Sequence, residues 1–160
     1  MKRMLRMIAL SLCVMVANTR AADDPQVGHW KIDLAKSKYV SATPPQSSVA
    51  IVTPYGKDGV SLTVNQVTAK GDKFVIQYSG QYDGKPNPRT ETGPGAVAGQ
   101  TVTLKRIDAQ TVERIVYLEG RPVGTERWVI SKDGKTRTVT QSGIDAHGKP
   151  IDNLQIYVKQ

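Results

Sequence analysis

From residue 28 to the C-terminus, apolar and polar side chains alternate in short runs. Val60, Leu62 and Val64 alternate with Ser61, Thr63 and Asn65. Phe74, Ile76 and Tyr78 alternate with Lys73, Val75 and Gln77, and Val102 and Leu104 with Thr101, Thr103 and Lys105. Near the end, Leu154, Ile156 and Val158 alternate with Gln155, Tyr157 and Lys159. A period of two is the period of a strand, whose successive side chains face opposite sides. The Val, Thr, Ile and Tyr that fill these runs suit a pleated, half-buried surface. No window holds apolar residues at helical spacing for three turns.

Turn chemistry separates the runs. Lys57-Asp58-Gly59, Lys70-Gly71-Asp72, Asp83-Gly84-Lys85, Glu119-Gly120-Arg121, Asp133-Gly134-Lys135 and His147-Gly148-Lys149 each place a glycine where a tight turn wants one. The pattern predicts an all-β chain of nine or ten strands joined mostly as hairpins. An antiparallel up-and-down β-barrel closes such a meander and hides its edges, and a two-sheet β-sandwich is the alternative. Two stretches fall outside it. Residues 41–48 hold Thr43-Pro44-Pro45-Gln46 and predict a surface connection. Residues 86–100 hold Pro86, Pro88, Pro94, Gly93, Gly95 and Gly99 and predict a long loop, placed near one mouth as a lid.

The first 21 residues have the layout of an export leader. Lys2, Arg3 and Arg6 precede an apolar core from Ile8 to Ala17, and Thr19 and Ala21 set small side chains before a cut at Ala21/Ala22. The core is too short for a membrane span. Cys13 lies inside it with Leu12 before it, which is not a lipoprotein arrangement. The expected product is one domain, 22–160, exported to the periplasm or secreted, with no membrane anchor. Removing the leader takes four of the 22 basic residues and leaves 18 against 14 acidic, a balance of +4. Interspersed charges of that size, with few aromatics for base stacking, argue against nucleic acid as a partner. The single cysteine also leaves, so the domain is expected to stand without a disulfide or a thiolate metal site.

Gly28-His29-Trp30-Lys31 in the first strand resembles the Gly-x-Trp signature shared by lipocalins and fatty-acid-binding proteins, the calycin group of small barrels. The run of hairpins from Thr101 to a closing Gln155-Ile156-Tyr157-Val158-Lys159 is similar to the last strands of fatty-acid-binding proteins. Trp30-Lys31-x-Asp33-Leu34-x-Lys36-Ser37-Lys38-Tyr39 is similar to exported, uncharacterised bacterial proteins of lipocalin-like type. The resemblance implies a calycin-like barrel in which Gly28 and Trp30 are structural. It also implies a small, largely apolar ligand and no cofactor. The chain departs from the family in having Gln155 where the carboxylate clamp has an arginine, so only Tyr157 carries over. It also has only a short turn where the intracellular proteins insert a helix pair.

The candidate ligand residues are Arg137, Tyr157, Tyr78, Tyr117 and Thr138. Arg137 shares phase with Val139 and could meet a carboxylate by charge-assisted hydrogen bonds. Arg127 is a second candidate for the same grip, but it is out of phase with Trp128 and Ile130, which favours outward. The alternative for both arginines is a solvated outward position opposite glutamates such as Glu113 and Glu126. Thr136, Thr138 and Thr140 form one face of a strand and Arg137, Val139 and Gln141 the other. Neither face suits a dry core, so this strand borders a wet cavity or an edge. Tyr78, Tyr82 and Tyr117 could line such a cavity. His29 and His147 stand apart with no carboxylate at ligand spacing, so no metal is expected. The 93–99 glycines lack the ending of a phosphate loop, and no Gly-x-Ser-x-Gly elbow marks a hydrolase. Lys36, Lys38, Lys57 and Lys70 read as a scattered, solvated set. The sequence thus predicts a non-enzymatic barrel for a small apolar ligand. A filled barrel acting through its loops on an envelope partner is one alternative. A hydrolase or isomerase in the cavity is another.

Overall fold

A computed structural model describes residues 24–40, 42–145 and 147–160. The expected leader, its cut site and Cys13 lie outside the described residues. Eleven strands follow in chain order: β1 Gly28–Ile32, β2 Lys38–Tyr39, β3 Ser47–Pro54, β4 Gly59–Val67, β5 Lys73–Gln81, β6 Asn87–Thr92, β7 Gln100–Arg106, β8 Thr111–Leu118, β9 Arg121–Ile130, β10 Thr136–Ile144 and β11 Pro150–Lys159. Ten of them form a single antiparallel sheet in the order β1-β3-β4-β5-β6-β7-β8-β9-β10-β11. The sheet closes on itself, with Trp30, Lys31 and Ile32 of β1 opposite Lys159, Val158 and Tyr157 of β11. This is an up-and-down barrel of calycin-like form, and closure removes the exposed edges that a sandwich would keep.

The eleventh strand, β2, explains how β11 is covered along its length. β1 leaves β11 at Asp33, and the chain rejoins it where Tyr39 and Lys38 pair with Asn153 and Leu154. In the gap, the Asp33 N–H donates to the Ile156 carbonyl at 2.7 Å, and the Ile156 N–H donates to the Ser37 hydroxyl at 3.0 Å. A side chain thus stands in for the missing ladder bond, as buried backbone groups require.

The end of the barrel nearest Gly28 is sealed by residues 24–27. The Trp30 indole N–H donates to the Gln26 carbonyl at 3.0 Å, and the Gln26 amide donates to the Gln110 carbonyl at 3.1 Å. Asp24 accepts from the Tyr82 hydroxyl at 2.6 Å and from Arg106 at 2.7 Å. Gly28 holds a φ of 146°, and the Lys159 ammonium crosses it to lie 5.2 Å from the centre of the Trp30 ring. Above the seal, Trp30, Val52, Val60, Leu62, Val102, Leu104, Val112, Trp128 and Ile130 pack as a dry core.

Two features differ from the sequence expectation. The 86–100 stretch is not all loop, because β6 occupies Asn87–Thr92. It is a staggered strand that pairs with β5 through Arg89–Thr92 and with β7 through Asn87–Arg89. Pro88 has a neighbour on the β7 side alone, where a residue with no N–H is tolerated. The free loop shrinks to 93–99. The second difference is the strand count, which the short β2 raises to eleven against the nine or ten expected; β11 buries Asn153 and Tyr157 while Leu154, Ile156 and Val158 take the other parity.

At the opposite end, Gly143 of β10 sits across from Gly124 of β9. Gly143 has a φ of 126°, and a Cβ on it would lie 3.1 Å from the Gly124 Cα; a Cβ on Gly124 would meet nothing nearer than the Ile151 methyl at 3.6 Å. Gly143→Ala should therefore destabilise by roughly 1–3 kcal/mol, the cost of a strained backbone position. Gly124→Ala should be close to neutral. Urea unfolding midpoints of the two variants check this, and equal midpoints would contradict it.

Candidate functional site

Alternation sets the interior. In the half of the barrel away from the seal, the inward positions of β6 to β11 are mostly polar or charged. They are Arg89 and Glu91 on β6, Gln100 on β7, Arg114 on β8, Glu126 on β9, Arg137 and Gln141 on β10, and Asn153, Gln155 and Tyr157 on β11. Ser48 faces them from β3. All of these except Asn153 and Ser48 line one of two chambers, which share Ile76, Arg114, Glu126 and Gln141 as walls. The outer chamber has a volume of about 260 Å³, with Phe74, Val97, Val116, Val123 and Ile151 as its apolar lining. The inner one holds about 60 Å³ between Leu62, Val64, Trp128 and Val139 on its apolar side and Arg137 and Tyr157 on its polar side.

A chain of hydrogen bonds crosses the interior. Glu126 is ion-paired with Arg114 and accepts from the Trp128 indole at 2.9 Å and the Gln141 amide at 2.7 Å. The Gln141 oxygen accepts from Asn153 at 3.2 Å and from Gln155 at 3.1 Å. The Tyr157 hydroxyl donates to Gln155 at 3.3 Å and lies 3.1 Å from the Ser48 hydroxyl. On the far side, Arg89 pairs with Glu91 at 2.5 Å and bonds the Gln100 oxygen. At the rim, Asp145 is committed to the N–H groups of its own turn, accepting from His147 at 2.9 Å and Lys149 at 2.8 Å.

Counting interior charges gives three arginines and two glutamates. Arg89 has Glu91 and Arg114 has Glu126. Arg137 has neither. Only 3 % of Arg137 is exposed, and its Nε and Nη1 have no hydrogen-bond partner among the described residues. Its guanidinium lies 4.4 Å from the centre of the Trp128 ring, 5.5 Å from Tyr157 and 5.9 Å from Trp30. Aromatic faces stabilise a cation only in part. Burial pushes Arg137 below the usual arginine range, with Tyr157, Tyr78 and Glu126 opposing it. An arginine nonetheless stays protonated inside proteins. Burial alone would raise the Glu126 carboxyl, and Arg114, Trp128 and Gln141 overcome that and hold it below the usual carboxylate value. Burial raises the Tyr157 phenol, against the pull of Ser48 and Arg137.

Of the residues singled out from sequence, Arg137 and Tyr157 meet at the inner chamber. Tyr78 lines neither chamber and packs in the core instead, with the Arg114 guanidinium 5.3 Å from the centre of its ring. Thr138 and Tyr117 line neither chamber. Thr138 follows an inward Arg137, and adjacent strand residues cannot share a face; Tyr117 likewise follows Val116, whose side chain lines the outer chamber. The alternative that set both arginines outward opposite Glu113 and Glu126 fails for Arg137 and for Glu126. Glu126 shares the phase of Trp128 and Ile130 and points inward, whereas Arg127 is exposed. Arg89, Glu91, Arg114 and Gln141 were not singled out as site residues. The in-phase run Val112, Arg114, Val116 was the available signal for Arg114. A scan against family models and searches of curated proteins and solved structures gave no match for this chain.

Breaking the Arg114–Glu126 pair from one side should be costly. Arg114→Met leaves a buried carboxylate without its cation and should lose about 3–5 kcal/mol, and adding Glu126→Gln should recover much of it. The lowered Glu126 pKa also sets a sign. Its contribution to stability is complete above the ordinary value of 4.5 and is lost as pH falls through the lower folded value. Urea unfolding of the double variant from pH 7 down to pH 3 should show a shallower acid loss than the parent. Parallel curves would contradict that assignment.

Proposed function

We propose that the barrel binds a small, largely apolar molecule carrying one acidic group, without transforming it. The acid meets Arg137 in the inner chamber and the apolar body fills the outer one. One observation carries this reading: a buried guanidinium with free donors and no carboxylate. A buried charge without a partner is a standing cost, and a well-packed apolar side chain would usually be at least as stable in its place. A ligand acid group relieves that cost with charge-assisted hydrogen bonds. The Tyr157 hydroxyl lies on the same wall, already engaged with Gln155 and Ser48, so the unpartnered donors there are those of Arg137. The outer chamber has the mixed lining of a small-molecule site, mostly apolar with a few polar groups that fix orientation. A barrel acting only through its outer loops would have no use for Arg137.

Octanoate and octanol share an apolar body and differ in charge, so they separate the two chambers. In calorimetric titration the parent should bind octanoate more tightly than octanol. Arg137→Met should weaken octanoate by about 1.5–3 kcal/mol, the range for a hydrogen bond to a charged group, or roughly 10- to 150-fold in Kd. Its affinity for octanol should stay unchanged. Octanoate binding that is absent from the parent, or undiminished in the variant, would refute the proposal.

A further inference from the structure

The roof of the outer chamber is the 93–99 loop, and it is tied to the interior at one residue. The Val97 N–H donates to Glu91 Oε2 at 2.9 Å, and the Val97 carbonyl accepts from Gln100 Nε2 at 2.9 Å. Glu91 and Gln100 are both bonded to Arg89, which is 8 % exposed. Arg89, Glu91, Val97 and Gln100 therefore form a closed ring of hydrogen bonds with a single guanidinium at its base. Gly93 and Gly99 bracket the loop with φ values of 127° and 74°, and Gly95 sits between them at 77°. On its outer side the loop has one further tie, from exposed His147 to the Gly95 carbonyl at 3.1 Å. Gly95 and Val97 both line the chamber.

We propose that the 93–99 loop is a lid and that Arg89 is its latch, released when the acid group of an incoming ligand takes the place of Glu91 on the guanidinium. This inference rests on the reading of the cavity as a site for an acidic, largely apolar molecule. The exchange replaces one carboxylate by another on the same arginine, so Arg89 keeps an anionic partner throughout entry while the released Glu91 carboxylate turns toward the solvent at the rim. Burial and the neighbouring Arg114 both disfavour the Arg89 charge, which adds to the pull on a second anion. Once Glu91 turns away, Val97 loses an acceptor for its N–H and the roof is free to lift about its glycines. The acid then passes inward from Arg89 to Arg137. A neutral ligand of the same shape has nothing to offer Arg89 and must wait for spontaneous opening. The latch thus discriminates in the rate of entry, in addition to the equilibrium choice made at Arg137.

The test is stopped-flow binding of octanoate and octanol, read by the emission of the two tryptophans, Trp30 and Trp128, which flank Arg137. In the parent, octanoate should associate faster than octanol. Glu91→Ala removes the tie and should speed octanol entry about tenfold, the gain in open population expected from losing one such bond. Amide exchange at Val97 should rise by a similar factor, with exchange at Ile76 in β5 unchanged. Gln100→Met opens the same ring without altering charge and should also speed octanol, which covers the case that Glu91→Ala folds poorly. Faster entry of octanoate alone would indicate simple attraction to an extra positive charge and would overturn the latch. Unchanged octanol rates in both variants, with octanoate still bound at equilibrium, would overturn it as well. Failure of octanoate to bind at all would remove the cavity reading and the lid with it.

Discussion

Deep inside a closed barrel an inward charge has little access to water, so its cost is offset only where another inward group matches it. In this chain the matching is incomplete. Glu91 and Glu126 account for Arg89 and Arg114, and Arg137 has only aromatic faces around it. Much else in the upper half can be read from that imbalance. Gln141, Gln155 and Asn153 carry hydrogen bonds between Glu126 and Tyr157 and keep the wall polar without adding charge. The inner chamber is small because Trp128 and Val139 close around the guanidinium, which limits what can neutralise it to a small group.

The barrel divides its tasks along its axis. The sealed half is dry and filled, held by Trp30, Trp128 and the aliphatic core, and closed by Asp24 and Gln26 from the N-terminal segment. That half supplies the apolar burial on which a fold without disulfides relies. The other half gives up such burial in favour of a hydrogen-bonded polar lining and a roof hinged on glycines. Local conflict between good packing and side-chain choice is commonly found where a protein has a functional site.

Alternation and turn chemistry made the barrel legible, because a period of two with glycine at each reversal leaves few other architectures. The structural role of Gly28 and Trp30 was legible only through the resemblance to the Gly-x-Trp signature. Arg137 and Gln141 were legible too, since Val139 fixed the inward parity of β10. The rest was hidden by rules that hold on average. In β11 Leu154, Ile156 and Val158 lie on the outer face, while Ile151 faces in with Asn153, Gln155 and Tyr157, so hydrophobicity alone does not set its inward side. Tyr117 and Thr138 were attractive by residue type, but each follows an inward neighbour. Glu126 is charged like a surface residue, and only its phase with Trp128 and Ile130 marks it as inward. In β6, Pro88 masked a strand because tolerance of proline depends on which neighbour is missing, which no single-chain pattern reveals.

The central claim is that Arg137 is present for something the protein binds and not for the fold. Thermal unfolding of ligand-free parent and Arg137→Met protein tests it most directly. Replacing a buried, unpaired guanidinium by an apolar side chain of similar length should leave the ligand-free midpoint unchanged or raise it, in line with a gain of about 1–4 kcal/mol where buried charges give way to packed apolar groups. A midpoint lower by about 5 °C or more, corresponding to a loss of roughly 1–2 kcal/mol for a domain of this size, would show that Arg137 holds the barrel together and would contradict the account.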